Sequence, residues 1–288
     1  MSDASDRATN TTPSLAPTAS PTPTPTSTID RWTIGAIAVI AYALADLLHE
    51  GGGHGGACLA LHCKPTAFNT SYFNYDEATL GIGARRFIEA AGTIVNVAVG
   101  GLLLLALRLP LPSRARYFVW LTAVLNFITG CGYLAYSGAI GVGDWAAILD
   151  GLPHRTAARV GETIVGLALY LVVAPRLTWP GLAPFVGAGA DRVQRARTLT
   201  LWPYFVGCTT LVAAGAFNPL GVRILFISAV AASFGGSSLL AWYFTGRAGN
   251  EPLGAPATLG IARSRAWIAA GIVSFVIFVG ILGRGFTF

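Results

Sequence analysis

Charged residues are scarce in this sequence. Asp, Glu, Lys and Arg together make up 11% of its 288 residues, whereas about 25% is usual for soluble domains. Hydrophobic residues make up 53%, and the mean hydropathy is +0.60. They lie in runs whose length, about 20 residues, matches a helix that crosses a bilayer. This pattern argues against a soluble globular domain and predicts an all-α polytopic membrane protein embedded in the lipid bilayer.

Cysteine is also scarce. The four cysteines, Cys58, Cys63, Cys131 and Cys208, form no CxxC pair, which excludes the usual zinc ribbon and the thioredoxin-like redox motif. Three of them lie in or beside apolar runs, where a cysteine is usually a small buried hydrophobe. We therefore expect no disulfide framework.

Lysine is nearly absent, and the basic character of the chain comes from arginine. The net charge is +6 and the pI about 9.4, values that suggest nucleic-acid binding in a soluble protein. Here most arginines lie in short loops between apolar runs, where they fix topology and meet lipid headgroups. No nucleic-acid partner is predicted. More basic residues face the cytoplasm when the N-terminus lies there, so we expect a bacterial inner-membrane protein in that orientation.

The chain divides into three regions. Residues 1–30 are rich in Pro, Thr and Ser, a composition that predicts a disordered tail. Residues 31–151 form a membrane core with the metal-binding motif described below, and residues 152–288 add further transmembrane helices. The apolar runs predict about six to seven such helices, over residues 33–61, 87–107, 117–140, 160–174, 201–217, 224–244 and 267–282.

The loop between the first two spans differs from the other loops. Residues 64–86 contain Thr, Phe and Tyr punctuated by Asn and Asp, which predicts short extended strands in a hairpin-like insert. No long soluble domain and no strong internal repeat is evident.

Three of the four histidines fall in or just after the first apolar run. These are His49, His54 and His62, and Glu50 follows His49 directly. Ionisable side chains inside a membrane are costly and mark functional sites by default. The pattern indicates a site for one zinc ion, with His49 and His54 as ligands and Glu50 as the catalytic base.

The motif is one residue longer than the common zinc-peptidase motif, HExxH. Residues i and i+5 of a regular α-helix point about 140° apart, so His49 and His54 would not reach one ion. A single π-helical turn absorbs the extra residue and returns both side chains to one face. Because Gly51, Gly52 and Gly53 lower the cost of such a distortion, we expect a π turn here.

The motif resembles those of two zinc-peptidase families. Its H-E-x-x-G-H spacing is that of the soluble dipeptidyl peptidase III, and its membrane setting is similar to the site-2 protease family of intramembrane zinc metalloproteases, over about residues 33–151. That family has a Gly-Pro-x-x-Asn-like motif in the next span. Here residues 91–96 read Ala-Gly-Thr-Ile-Val-Asn, with Thr93 in place of the proline. The resemblance implies a role for Asn96 near the ligands, and an Asp ligand after the third span.

Two aspartates are candidates for that third ligand. Asp144 follows the stretch 130–138, which is rich in glycine and other small residues that allow helices to approach closely. Asp150 stands in a Leu-Asp-Gly triplet that matches the local sequence of the family. We prefer Asp144 and keep Asp150 as the second choice. Asp46, three residues before His49, is the candidate to orient an imidazole from outside the ligand set.

A rival metal site shares the first span. His54, Cys58 and His62 recur at i, i+4 and i+8 and would form one stripe on a regular helix. With one ligand from elsewhere they would build a closed zinc or haem-type site. This alternative gives Glu50 and Asp46 no role, whereas a hydrolytic site uses both.

The leading hypothesis is an intramembrane zinc metalloprotease that hydrolyses peptide bonds of a membrane-spanning substrate segment entering laterally. A non-catalytic membrane protein, in which the metal site serves structure or scaffolding, is an alternative motivated by the extra glycine and the missing proline. A transporter of small solutes or metal ions is a third candidate because of the intramembrane carboxylates, although no repeated pair of broken helices supports it.

Overall fold

The computed structural model describes residues 28–218, 221 and 233–288. Most of the predicted tail, residues 1–27, lies outside them, and so does a large part of the predicted sixth span. The described chain is mostly helical and contains one three-stranded sheet. The expected helical architecture with a short β insert is therefore present.

The first span is one continuous helix in three segments: α1, Arg31–Leu47; a π-helical segment, Leu48–Gly55; and α2, Gly56–Ala60. Asp30 caps its start, where its Oδ1 accepts a hydrogen bond from the Thr33 backbone N–H at 2.8 Å. Such a cap satisfies one of the backbone donors that a helix start leaves unpaired. The helix thus begins close to the predicted boundary of the first apolar run.

The other helices follow in chain order. They are α3, Ile82–Ala106; α4, Ser113–Ile140; α5, Asp144–Ile148; α6, Arg155–Ala168; α7, Ala174–Val186; α8, Arg192–Gly215; α9, Leu239–Asn250; and α10, Arg265–Phe275. The π-helical segment Leu169–Val173 joins α6 to α7. A second one, Val276–Ile281, extends α10 into a 3-10 turn, Leu282–Arg284.

Five described helices are long and apolar enough to cross a membrane: Arg31–Ala60, Ile82–Ala106, Ser113–Ile140, Arg155–Val186 and Arg265–Arg284. The first and third bury most of their apolar stretch inside the protein, whereas the other three bury a third of it or less. Soluble proteins rarely expose apolar faces of that extent. These faces fit a lipid environment, as expected for a multi-pass membrane protein.

The fourth span differs from its prediction, which covers only residues 160–174. The helix runs without a break from Arg155 to Val186, because Pro175 lies in the first turn of α7, directly after a π-helical segment. A proline is tolerated at the first turn of a helix, where its missing N–H costs no hydrogen bond. The fifth predicted span, residues 201–217, overlaps the second half of α8 and extends two residues beyond its end, and α8 is not among the five helices above.

The insert after the first span is a β-hairpin. Strands β1, Pro65–Asn69, and β2, Tyr72–Tyr75, pair in antiparallel fashion, which confirms the predicted hairpin. The Asn69 side chain accepts hydrogen bonds from the Ser71 and Tyr72 backbone N–H groups at 2.7 and 3.1 Å, and such bonds stabilise a tight turn. A third strand, β3, Phe286–Thr287, pairs with the other edge of β1 and was not predicted.

One disulfide bond corrects the expectation for the cysteines. Cys58 in α2 is bonded to Cys63, just before β1, with Cα atoms 5.0 Å apart. Between them the helix ends, and His62 adopts a left-handed backbone conformation with φ of 56°. This turn brings the two sulfur atoms together, although the spacing alone matches no common disulfide motif.

The main core surrounds the first and third spans. Helix α1 packs against α4, α8 and α10, and α4 packs against α3, α6 and α7. The largest fully buried side chains in this cluster include Tyr117, Trp120, Phe185 and Phe244. Helix α3 packs against the π-helical segment of the first span, and this contact positions the site described next.

Candidate metal site

The two histidines of the first span share one face of the helix. His49 and His54 both lie in the π-helical segment Leu48–Gly55, which confirms the predicted distortion. Their ring centroids are 5.0 Å apart in an edge-to-face arrangement, and both side chains are buried. The π-helical turn therefore places the side chains of residues i and i+5 on the same face of the helix, which a regular α-helix would not do.

Two glycines allow α3 to approach this segment closely. A Cβ on Gly53 would lie 2.4 Å from the Gly92 Cα, and a Cβ on Gly92 would lie 2.6 Å from His49 Cε1 and 2.8 Å from His54 Nε2. No side chain fits at either position without displacing its neighbours. Gly92 thus lies opposite both imidazoles and leaves the space in front of them open.

Hydrogen bonds fix which nitrogen of each imidazole carries the proton. His54 Nδ1 lies 2.7 Å from the Ile88 carbonyl oxygen, which can only accept, so His54 Nδ1 must donate. His49 Nδ1 lies 2.6 Å from Asn96 Oδ1. The Nε2 atom of each ring, which points the other way, is then the one available to bind a metal.

The orientation of the Asn96 amide is set by a chain of hydrogen bonds that ends on backbone carbonyls. Asn126 donates through Nδ2 to the Thr122 carbonyl oxygen at 2.8 Å, so its Oδ1 faces Asn96. Asn96 then donates through Nδ2 to Asn126 Oδ1 at 2.7 Å and to the Ala45 carbonyl oxygen at 3.2 Å. Its own Oδ1 is left to accept from His49. Asn96 therefore lies beside the His49 imidazole and accepts a hydrogen bond from its Nδ1.

Asp144 faces both imidazoles from the start of α5. Its Oδ2 lies 3.2 Å from His49 Nε2 and 3.2 Å from His54 Nε2. Burial raises the pKa of the Asp144 carboxyl, but its contacts with the two imidazoles lower this pKa by more, so that it lies below its usual range. The carboxyl is consequently ionised at neutral pH.

Several contacts hold Asp144 in place. Gly141 and Gly143 adopt positive φ values of 71° and 87°, which glycine tolerates at no steric cost, and they turn the chain back from α4 towards the site. The Tyr133 hydroxyl donates to Asp144 Oδ1 at 3.2 Å. Trp145 Nε1 donates to Thr93 Oγ1 at 2.9 Å, so the residue that replaces the proline of the resembled motif anchors α5 to α3.

The donor set fits a divalent metal ion. With Nδ1 of each ring donating, each Nε2 either donates a second proton to the Asp144 carboxylate or, once that proton is lost, turns a lone pair to it, and a cation bound between the three groups takes the place of the lost protons. His49, Glu50 and His54 also form a group whose ligand atoms all lie within 4.8 Å of one another. Two imidazole nitrogens and one carboxylate oxygen suit zinc, and catalytic zinc sites have three protein ligands.

Glu50 lies beside the imidazoles and faces a cavity. Its side chain is partly buried, and the backbone N–H of Phe73 in β2 hydrogen bonds to its carboxylate. Together with His49, it lines a cavity of about 220 Å³. A carboxylate in this position has access both to the metal ligands and to a molecule in the cavity.

The other two predicted aspartates lie apart from the imidazoles. Asp46 makes no hydrogen bond to either ring within the described part of the chain, and it is one of the residues that line the same cavity. Asp150 forms an exposed ion pair with Arg155 at 3.0 Å. Its own carbonyl oxygen accepts from Arg86 at 2.8 Å. The structure therefore brings Asp144, and not Asp150, to the histidines.

The rival cluster of the first span does not assemble. The sulfur of Cys58 is bonded to Cys63 and is no thiolate ligand. His62 lies beyond the helix end and is exposed on the protein surface. Both ring nitrogens of His54 face α3 and α5, at the Ile88 carbonyl oxygen and at Asp144. The stripe of His54, Cys58 and His62 required a regular helix through residue 62, and that expectation is wrong.

Comparison with models of protein families, with curated proteins and with solved structures yields no match to this chain. The resemblance to the site-2 protease family therefore remains an expectation from the sequence motifs.

Proposed function

We propose that this protein is an intramembrane zinc metalloprotease, similar to the site-2 protease family, that hydrolyses peptide bonds of membrane-embedded substrates. One observation carries the proposal: His49 Nε2 and His54 Nε2 converge on Asp144 Oδ2, and Glu50 stands beside them at the wall of a cavity. In a structural zinc site the fourth position is closed by a protein ligand. Here the neighbouring carboxylate faces space that a substrate can enter.

His49, His54 and Asp144 would hold the ion. A zinc ion bound there would supply Lewis-acid chemistry, which polarises a carbonyl and lowers the pKa of water. The Glu50 carboxylate would take a proton from a water molecule as the water oxygen attacks the peptide carbonyl carbon. It would then pass that proton to the departing amine nitrogen as the C–N bond breaks. Asn96 would keep His49 oriented throughout, because it holds the Nδ1 proton.

The size of the cavity limits the form of the substrate. Pockets for drug-sized ligands usually enclose about 300–1,000 Å³, and this one encloses about 220 Å³. A helix is about 10 Å across and does not fit, whereas a short extended segment with one side chain does. A membrane-spanning substrate would therefore have to unwind locally as it enters between the helices.

The disulfide supports the expected orientation. Cys58 and Cys63 lie at the end of the first span, and disulfides form in oxidising compartments such as the bacterial periplasm. We therefore place this end outside the cytoplasm, which puts the N-terminus inside, as the arginine distribution favours.

A cleavage assay with Glu50→Gln tests the proposal. Wild-type protein in proteoliposomes, loaded with zinc, is expected to cleave members of a set of single-span test peptides that carry a fluorophore and a quencher. The variant should lose at least a hundredfold in rate, because general-base catalysis contributes about that much or more, yet keep its bound metal. Asp150→Asn serves as the matched control, since Asp150 lies apart from the imidazoles.

The outcomes separate the candidate functions. Unchanged cleavage by Glu50→Gln would contradict the assignment of the base. Stoichiometric metal without cleavage of any test peptide would favour the non-catalytic alternative. Metal flux across the vesicle membrane that survives Glu50→Gln but not His49→Ala would favour transport.

A further inference from the structure

The cavity beside Glu50 contains a second carboxylate that the hydrolytic mechanism does not use. Asp46 lines this cavity, its Oδ2 is buried, and that oxygen has no hydrogen-bond partner. A buried carboxylate without a partner is costly, and inside a membrane such a group by default serves a function. Among the described residues that line the cavity, none is Lys or Arg, and the one basic side chain is His49, which belongs to the proposed metal site.

Two hydroxyl groups that line the cavity together with Asp46, those of Tyr42 and Ser237, use their protons in hydrogen bonds within the protein. Ser237 Oγ donates to the Ser233 carbonyl oxygen at 2.6 Å, and the Tyr42 hydroxyl donates to Ser237 Oγ at 3.0 Å. Because a carbonyl oxygen can only accept, this order of donation is fixed, and the Tyr42 hydroxyl proton is used within the protein. Tyr42 and Asp46 are four residues apart on α1 and lie on the same face. Both line the cavity, where Asp46 is the acidic group on this face of α1.

The distance along the helix between Asp46 and Glu50 indicates how far from the cleaved peptide bond Asp46 would contact a substrate. Asp46 precedes Glu50 by four residues, which corresponds to about 6 Å along a helix axis at about 1.5 Å per residue. An extended peptide advances about 3.3 Å per residue. A substrate side chain that reaches Asp46 would then belong to a residue within about two positions of the bond that faces Glu50.

We propose that this cavity is a specificity subsite for a cationic side chain, Lys or Arg, that lies close to the scissile bond and pairs with Asp46. The inference rests on the proposed peptidase function and names its substrate class. The cationic group would supply a donor to the Asp46 carboxylate, whose Oδ2 has no hydrogen-bond partner. A membrane segment with a basic residue beside an unwound stretch would be preferred over a purely apolar one.

Binding to a protein that cannot hydrolyse its ligand tests the subsite independently of turnover. Labelled test peptides that differ only in Lys, Arg, Met or Glu near the centre are titrated against the Glu50→Gln protein in detergent, and fluorescence anisotropy gives the affinity. The Lys and Arg peptides are expected to bind about tenfold or more tightly than the Met peptide, as for a hydrogen bond to a charged group. Adding Asp46→Asn should remove this difference and leave the affinity for the Met peptide unchanged.

Glu162→Gln is the matched control. Glu162 is another carboxylate on a membrane-length helix, both of its oxygens are buried without a partner, and it does not line the cavity. It should not alter the preference for basic peptides. Equal affinities for the Lys and Met peptides, or a preference that persists with Asp46→Asn, would overturn the subsite. Failure of the peptidase function itself would show separately, as absence of Glu50-dependent cleavage by the wild-type protein.

Discussion

Replacing Asn96 by leucine removes the group that holds the proton on His49 Nδ1. Asn96 is fully buried and makes three hydrogen bonds, to His49, to Asn126 and to the Ala45 carbonyl oxygen, at 2.6, 2.7 and 3.2 Å. Leucine has a similar volume but no polar atoms. The His49 ring would lose its anchor, and its proton could move to Nε2, the nitrogen that faces Asp144.

The expected loss in zinc affinity follows from the hydrogen bond between Asn96 and His49, in which a residue that does not bind the metal holds one that does. Removing the partner of a metal-binding histidine costs about 10–100-fold in affinity, or about 1.4 to 2.8 kcal/mol. Asn126→Leu should cost less, because Asn96 then keeps the Ala45 carbonyl oxygen as an anchor for its amide. The ranking of the affinities should be wild type, Asn126→Leu, Asn96→Leu and finally His49→Ala, from tightest to weakest.

Competition with a chromophoric chelator in detergent gives these zinc affinities directly. Thr200→Val is the control, since Thr200 is equally buried and its hydroxyl bonds only within its own helix, at the Ala196 carbonyl oxygen. It should bind zinc as tightly as the wild type. If Asn96→Leu folds, as judged by circular dichroism, and still binds zinc with wild-type affinity, the assignment of the proton to His49 Nδ1 is refuted.

Two further predictions follow from the close packing and from the disulfide. Gly92→Ala should abolish zinc binding, because the new Cβ would lie 2.6 Å from His49 Cε1. Gly101→Ala is the control, since Gly101 lies in the same helix and faces open space, and it should have no effect. Equal zinc content in the two variants would contradict the packing argument. Reducing the Cys58–Cys63 bond, which closes a loop with a sequence separation of 5, should lower the free energy of unfolding by about 2 kcal/mol. Unfolding in denaturant with and without a reductant measures this, and a Cys58→Ser/Cys63→Ser double variant that is as stable as the wild type would refute it.

The local features of the site could be predicted from the sequence. Hydropathy located the five membrane-length helices, because a bilayer demands long apolar runs. The π turn could be predicted because the extra residue between His49 and His54 has only a few structural solutions, and three glycines made one of them cheap. The hairpin could be predicted from Asn69 and its aromatic neighbours, since turn chemistry is local.

Features that depend on tertiary contacts or on the conformation of a particular turn could not be predicted from the sequence. Asp144 and Asp150 are both close in sequence to the end of α4, and only the turn at Gly141 and Gly143 decides which of them faces the histidines. Asn126 gives no sign in the sequence that it fixes the Asn96 amide. The disulfide depends on the left-handed turn at His62, which a β-branched residue would disfavour but which histidine tolerates.

Metal analysis of three purified proteins tests the central claim most directly. Wild type, Asp144→Asn and Asp150→Asn are loaded with zinc, washed, and analysed for metal per chain by elemental mass spectrometry. The geometry predicts about one ion in the wild type and in Asp150→Asn, since Asp150 pairs with Arg155, and a loss of the ion in Asp144→Asn, whose Oδ2 faces both imidazoles. Metal retained in Asp144→Asn, or lost in Asp150→Asn, would contradict the proposed site.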